Sequence, residues 1–193
     1  MPILDHEYSV QETGFWCGPG SSQIVLSCRG IHVLESQLAR ELGTTVNGTD
    51  WIGQITTLLA RYTGRPYVTR EIPNDPPTPN QLTLLREDIM RSIDGGNGVV
   101  ANIVAPPGNH PPGYPNYTIY HYIAIVGYDD AQGVYVADPA RFGGYEHYWL
   151  SWDKIGSLIA PKGYACAPTG TPPAEDDAGV WADNLAQLIG PVQ

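Results

Sequence analysis

The sequence predicts an α+β fold, with N-terminal helices packed on a C-terminal antiparallel sheet. Two observations point to it. In the first half, apolar residues recur every three or four positions between Gly and Pro stops; in the second, segments rich in Val, Ile and Tyr alternate with turn residues. A third observation bounds the size: 193 residues, 42% hydrophobic and 16% charged, suit one globular domain with a real core and not two large ones.

Taken in order, residues 1–16 read as an extended lead-in. Gly18-Pro19 opens a helix that runs to about Arg29 and stops at Gly30. Leu34, Leu38 and Leu42 predict a second helix closed by Gly43. A third starts near Asp50, shows Ile52, Ile55, Leu59 and Tyr62 on one face, and ends at Gly64. PYVTREI reads as a short strand, and the Pro-rich IPNDPPTPN as irregular. Asn80 is the expected cap of a fourth helix, with Leu82, Leu85, Ile89 and Ile93 inward and Gly95-Gly96 after it. GVVANIV, YTIYHYIAIVGY, GVYVAD and HYWLS then read as strands, the middle pair joined by the turn DDAQG. The loop APPGNHPPGYPNY, residues 105–117, is long enough to suggest a functional role.

Composition excludes several classes. Ten basic against twenty acidic residues give a net charge of −10, and the basic ones are scattered. Nucleic-acid binding replaces phosphate counterions with Lys and Arg, so DNA and RNA are not expected partners. Three cysteines, an odd and low number, argue against a disulfide framework and for folding in a reducing compartment. The start MPILDHEYSVQE has neither a basic nor an apolar signal region, so no signal peptide is expected. No apolar run approaches the length of a membrane span, so no membrane insertion is expected. HExxH, paired CxxC, phosphate-binding glycine loops and Gly-x-Ser-x-Gly are all missing, so neither metal nor cofactor is implied.

One cysteine stands apart. Cys28 and Cys166 read as core residues, whereas Cys17 lies at a helix start, where backbone N–H groups and the helix dipole favour a thiolate. Gly14 and Gly18 beside it leave room for a substrate backbone. Gln11, six residues earlier, can bring its amide to the sulfur and form an oxyanion hole with the Cys17 N–H. Of five histidines, His121 begins a strand on which Ile123 and Ile125 share its face, and is the expected general base. His147 is the reserve, His110 suits substrate contact, and His6 and His32 read as surface residues. Asp138, held extended by Pro139, ends the partner strand and is the expected group orienting His121. Asp129 and Asp130 belong to the turn.

Gln11…Cys17-Gly18-Pro19, His121-Tyr122-Ile123 and Asp138-Pro139 resemble the bacteriocin-processing, double-glycine-leader peptidases of peptide exporters, within the papain-like superfamily. GTDWIGQITTLLARYTG also resembles the helix that follows in that family, and the resemblance covers about residues 5–160. It implies a papain-like fold and a cysteine peptidase working through Cys17, His121, Asp138 and Gln11. More narrowly, the chain is similar to the N-terminal peptidase module of mycobacteriophage lysin A endolysins. That similarity implies hydrolysis of peptide bonds in bacterial peptidoglycan stem peptides, accumulation in the cytoplasm of the infected host, and release to the wall through a holin. The expected organisation is a peptidase domain over 1–167, a Pro/Gly/acidic linker over 168–179 and an amphipathic helix over 180–193. A monomer is expected, alone or beside a second lysin component. The same triad also serves acyl transfer, including transglutaminase-like and acetyltransferase chemistry. A non-catalytic wall-binding module and a protease acting on a bacterial protein are the remaining readings.

Overall fold

The computed structural model describes residues 1–169. Five helices, α1 (Cys17–Ser27), α2 (Glu35–Glu41), α3 (Ile52–Thr63), α4 (Pro79–Asp94) and α5 (Trp152–Ile159), accompany six strands. The strands are β1 (Val68–Glu71), β2 (Val99–Ala105), β3 (Ile119–Asp129), β4 (Gly133–Ala137), β5 (His147–Leu150) and β6 (Gly163–Cys166). They form one antiparallel sheet in the order β1-β6-β2-β3-β4-β5. The expected α+β architecture is therefore present.

Both faces of the sheet are covered. Ile24, Val25 and Leu26 of α1 pack with α2, α3 and the β3 residues Tyr122, Ala124 and Val126. On the other face, Leu85, Ile89 and Ile93 of α4 and Ile155, Leu158 and Ile159 of α5 meet Ile119, Ile123 and Ile125. Alternating β3 side chains thus enter opposite cores, which is why the strand reads as a near-continuous apolar run.

Local expectations hold at several points and shift at others. Gly64 ends α3 with φ 64°, the left-handed conformation that costs glycine little. Asn80 is not the cap of α4. The helix begins at Pro79, and Thr78 caps it: its Oγ1 accepts from Gln81 N at 3.3 Å while Gln81 Oε1 accepts from Thr78 N at 2.8 Å. Proline needs no donor at that first position, so the start moves forward. Leu34 precedes α2 and stands exposed, so only Leu38 and Leu42 point inward. α5 and β6 are two elements the sequence reading did not contain; at eight and four residues, their periodicity is too short to stand out. Among the described residues, no helix is long and apolar enough to cross a membrane. The expected linker beyond Thr169 and the helix over 180–193 lie outside the described residues.

Candidate active site

Cys17 is the first residue of α1, and Trp16 before it supplies no side-chain cap. The first-turn N–H groups are therefore left for the sulfur rather than satisfied by a cap. Ser21, one turn on, donates from Oγ to the Tyr122 carbonyl at 2.9 Å. That bond pins the start of α1 beside the residue that follows His121.

His121 is 5% exposed. Its Nε2 meets Asp138 Oδ1 at 2.8 Å, and the ring also hydrogen-bonds Cys17, which the remaining nitrogen, Nδ1, must serve. Asp138 lies one residue past β4, where Ala137 pairs with Ala124 of β3, so its side chain reaches His121 diagonally across the two strands. The carboxylate is fully buried and satisfied. Oδ1 also accepts from Ala140 N at 2.9 Å; Oδ2 accepts from Tyr114 Oη at 2.6 Å and Tyr148 Oη at 2.7 Å. Tyr114 and Phe142 stand edge-on to the imidazole, with ring centroids 6.0 and 5.7 Å away. The 105–117 loop thus delivers Tyr114 to the triad.

The electrostatics follow from this packing. Burial opposes ionisation of Cys17, but the hydrogen bond and charge of His121 and the N–H groups of Tyr122 and Gly18 outweigh it, holding the thiol below its ordinary value. Burial would lower His121; the charge and hydrogen bond of Asp138, then Cys17, reverse this and raise it to about 10. Burial likewise works against the Asp138 charge, yet His121, Tyr114 and Tyr148 keep its carboxyl below the usual range. The site therefore favours a thiolate–imidazolium pair at neutral pH.

The structure brings Cys17, His121 and Asp138 together, while Gln11 is tied to the residue after Asp138. Gln11 N donates to the Pro139 carbonyl at 2.9 Å, and its Nε2 donates to the Thr13 carbonyl at 2.6 Å. Its Oε1 is buried with no hydrogen-bond partner among the described residues. Gly18 serves a different purpose from the expected one: a Cβ there would lie 2.5 Å from Thr49 Oγ1, so its smallness lets α1 pack, not substrate approach. Gly14 has open space around it.

The other candidates sit elsewhere. His147 Nε2 pairs with His6 Nε2 at 2.9 Å, His110 bonds the Tyr117 carbonyl at 3.0 Å, and His32 faces Glu7 at 3.2 Å. Burial pushes the Cys28 thiol up to about 12 and the Cys166 thiol well above its ordinary value, so neither is a ready nucleophile. All three cysteines are free thiols. Among the described residues, no group of three or more His, Cys, Asp or Glu could hold a metal ion.

Sequence reasoning missed Tyr114 and Tyr148. The only signal for Tyr114 was its place in a long Pro/Gly/aromatic loop, and Tyr148 read as one more strand aromatic. Cys17 and His121 open into a cleft of about 220 Å³, lined also by Asp50, Asn102, Tyr120 and Lys162. A hollow of about 270 Å³ between Tyr8, Gln23 and Val33 contains none of the triad.

Three solved structures share this fold. A C39-like peptidase from Bacillus anthracis is 16% identical with a TM-score of 0.59, covering 88% of this chain and 98% of that one. A double glycine motif protease from an AMS/PCAT transporter, in complex with the leader peptide, is 14% identical with a TM-score of 0.56, covering 87% and 95%. The peptidase domain of Streptococcus ComA, a bifunctional ABC transporter of a quorum-sensing pathway, is 17% identical with a TM-score of 0.53, covering 86% and 100%. No curated protein matches the chain. Residues 3–159 match the model of the Peptidase_C39 like family, and the chain belongs to that family of cysteine peptidases.

Proposed function

We propose that the protein hydrolyses peptide bonds in bacterial peptidoglycan stem peptides, as the peptidase component of a phage endolysin, with Cys17, His121, Asp138 and Gln11 as its machinery. The observation that carries the catalytic part is the buried His121 held between Cys17 and the fully satisfied Asp138 carboxylate. The wall substrate rests on the narrower similarity of the chain to the N-terminal peptidase module of lysin A endolysins; the Cys17-Gly18-Pro19, His121-Tyr122-Ile123 and Asp138-Pro139 motifs support the peptidase.

In this reading the Cys17 thiolate attacks the scissile carbonyl carbon, forming a C–S bond and an oxyanion. The Cys17 N–H and the second Gln11 amide hydrogen hold that oxyanion; removing one such donor typically costs on the order of 10²–10³ in rate. Imidazolium His121 gives its proton to the leaving amine as the C–N bond breaks. Neutral His121 then takes a proton from water, whose oxygen displaces the sulfur and releases the acid.

The test is digestion of purified mycobacterial peptidoglycan by wild type and Cys17→Ala, with fragments read by mass spectrometry. New amine termini with wild type alone are expected, and they name the bond. Intact peptidoglycan with both proteins, alongside cleavage of ordinary L-peptides by wild type, would drop the wall substrate and keep the peptidase. Trapping of the acyl-enzyme by amines in preference to water would favour acyl transfer.

A further inference from the structure

The cleft at Cys17 and His121 continues into a second one of about 200 Å³, and the two share Asp50, Asn102 and Lys162. Together they make a trough that leaves the candidate nucleophile and runs between Trp51, at the start of α3, and the turn joining α5 to β6. Lys162, on that turn, is the one Lys or Arg lining either cleft. Its Nζ stands 5.6 Å from the centroid of the Tyr120 ring. Tyr120 is the exposed neighbour of His121 on β3, so the ammonium is held at the rim of the trough beside the candidate base.

Two facts mark this ammonium as a receptor. Among the described residues it forms no ion pair, whereas five other cationic side chains besides His121 do. It also stands against a net charge of −10, in a trough whose other charged walls, apart from the Cys17–His121 pair at its end, are Asp50 and Glu71. Glu71 Oε1 already accepts from Trp51 Nε1 at 3.2 Å. A carboxylate on a bound peptide is repelled by the Asp50 and Glu71 wall and drawn to Lys162, so the charges set its place.

We infer that Lys162 is a specificity-determining residue that takes a free carboxylate of the peptide lying in the trough. The inference rests on the reading that Cys17 cleaves a peptide, and adds the chemistry of a group beside the scissile bond. In a stem peptide, that group is an α-carboxylate left free where the chain continues through a side chain.

Two substrate panels test it: stem peptides with that carboxylate free or amidated, and ordinary L-peptides with Glu or Gln at positions flanking the cut. Wild type is expected to favour the carboxylate form about tenfold in kcat/KM, through KM, as one charge-assisted hydrogen bond at a half-exposed site allows. In Lys162→Met the two forms converge, and Lys162→Glu inverts the preference. An absent preference in wild type, or one that survives both substitutions, overturns the assignment. A Lys162-dependent preference among the L-peptides with no stem peptide cut leaves the assignment standing and removes the wall substrate. Equilibrium binding of both panels to Cys17→Ala, with and without Lys162→Met, reads the same preference where turnover is too slow to follow, and equal affinities there also overturn it.

Discussion

At the scale of the residue, the site is an exercise in stabilising two opposite charges inside a protein. Asp138 is affordable as a buried anion because four donors and the His121 charge surround it. Its role makes a pH prediction. Iodoacetamide inactivation of wild type should stay fast below pH 8, because the Cys17 pKa is held down and the His121 pKa is raised to about 10. Asp138→Asn should move the acid limb of that profile up toward an ordinary thiol; an unmoved limb would show that Asp138 does not sustain the pair. Glu35 makes a second prediction. It is 1% exposed, and burial raises it to about 7 against the opposing Glu12 N–H, which bonds Oε2 at 3.1 Å. The folded state then binds more protons than the unfolded between about 4.5 and 7, so this contribution to stability is present at low pH and is lost as pH rises through 7. Glu35→Gln, which resembles the neutral acid, should raise stability by on the order of 2 kcal/mol at pH 8 and by little at pH 5, measured by thermal melts at both. Cys17, His121 and Asp138 were legible because helix starts, strand starts and X-Pro dipeptides leave local marks. Tyr114, Tyr148 and Glu35 carry no such mark, since their roles come from what they touch.

At the scale of the element, the sheet is clamped at its β1 edge. Arg70 Nε lies 2.9 Å from Asp88 Oδ2 on α4, both nearly fully buried, and Tyr164 Oη of β6 donates to the same oxygen at 3.0 Å. Arg70→Met removes the guanidinium and leaves a buried carboxylate. The expected loss is about 3–5 kcal/mol, read as a shift in the urea midpoint with unchanged slope; a loss near zero would mean Asp88 finds water or another partner. β2 to β5 and the hairpin joining β3 to β4 were read correctly because period, β-branched residues and the DDAQG turn agree. α5 and β6 escaped because each is short, eight and four residues, too few for a period to stand out. The cap of α4 shifted from Asn80 to Thr78 because a Thr-Pro-x-Gln box outweighs a single Asn.

At the scale of the molecule, a net charge of −10 opposes approach to an anionic wall polymer. If the wall is the substrate, cleavage of isolated peptidoglycan should quicken as salt rises from about 10 to 150 mM, over which the Debye length falls from roughly 30 to 8 Å. Cleavage of small neutral peptides should stay flat, and a flat response with both would show that charge plays no part in encounter. Sequence alone determined the type of every helix and strand but α5 and β6, the candidate nucleophile, base and orienting acid, and the acidic character, because each is written in composition, period or a few neighbouring residues. Tertiary structure alone decided what depends on contacts between distant segments. It brought His121 to Cys17 across more than a hundred residues of chain. It covered both faces of the sheet, turned Tyr114 and Tyr148 onto Asp138, and set Lys162 beside the cleft. Such choices are made by packing α1 against β3 and closing the 105–117 loop over His121, and no local pattern encodes which of several suitable side chains those movements will bring within reach.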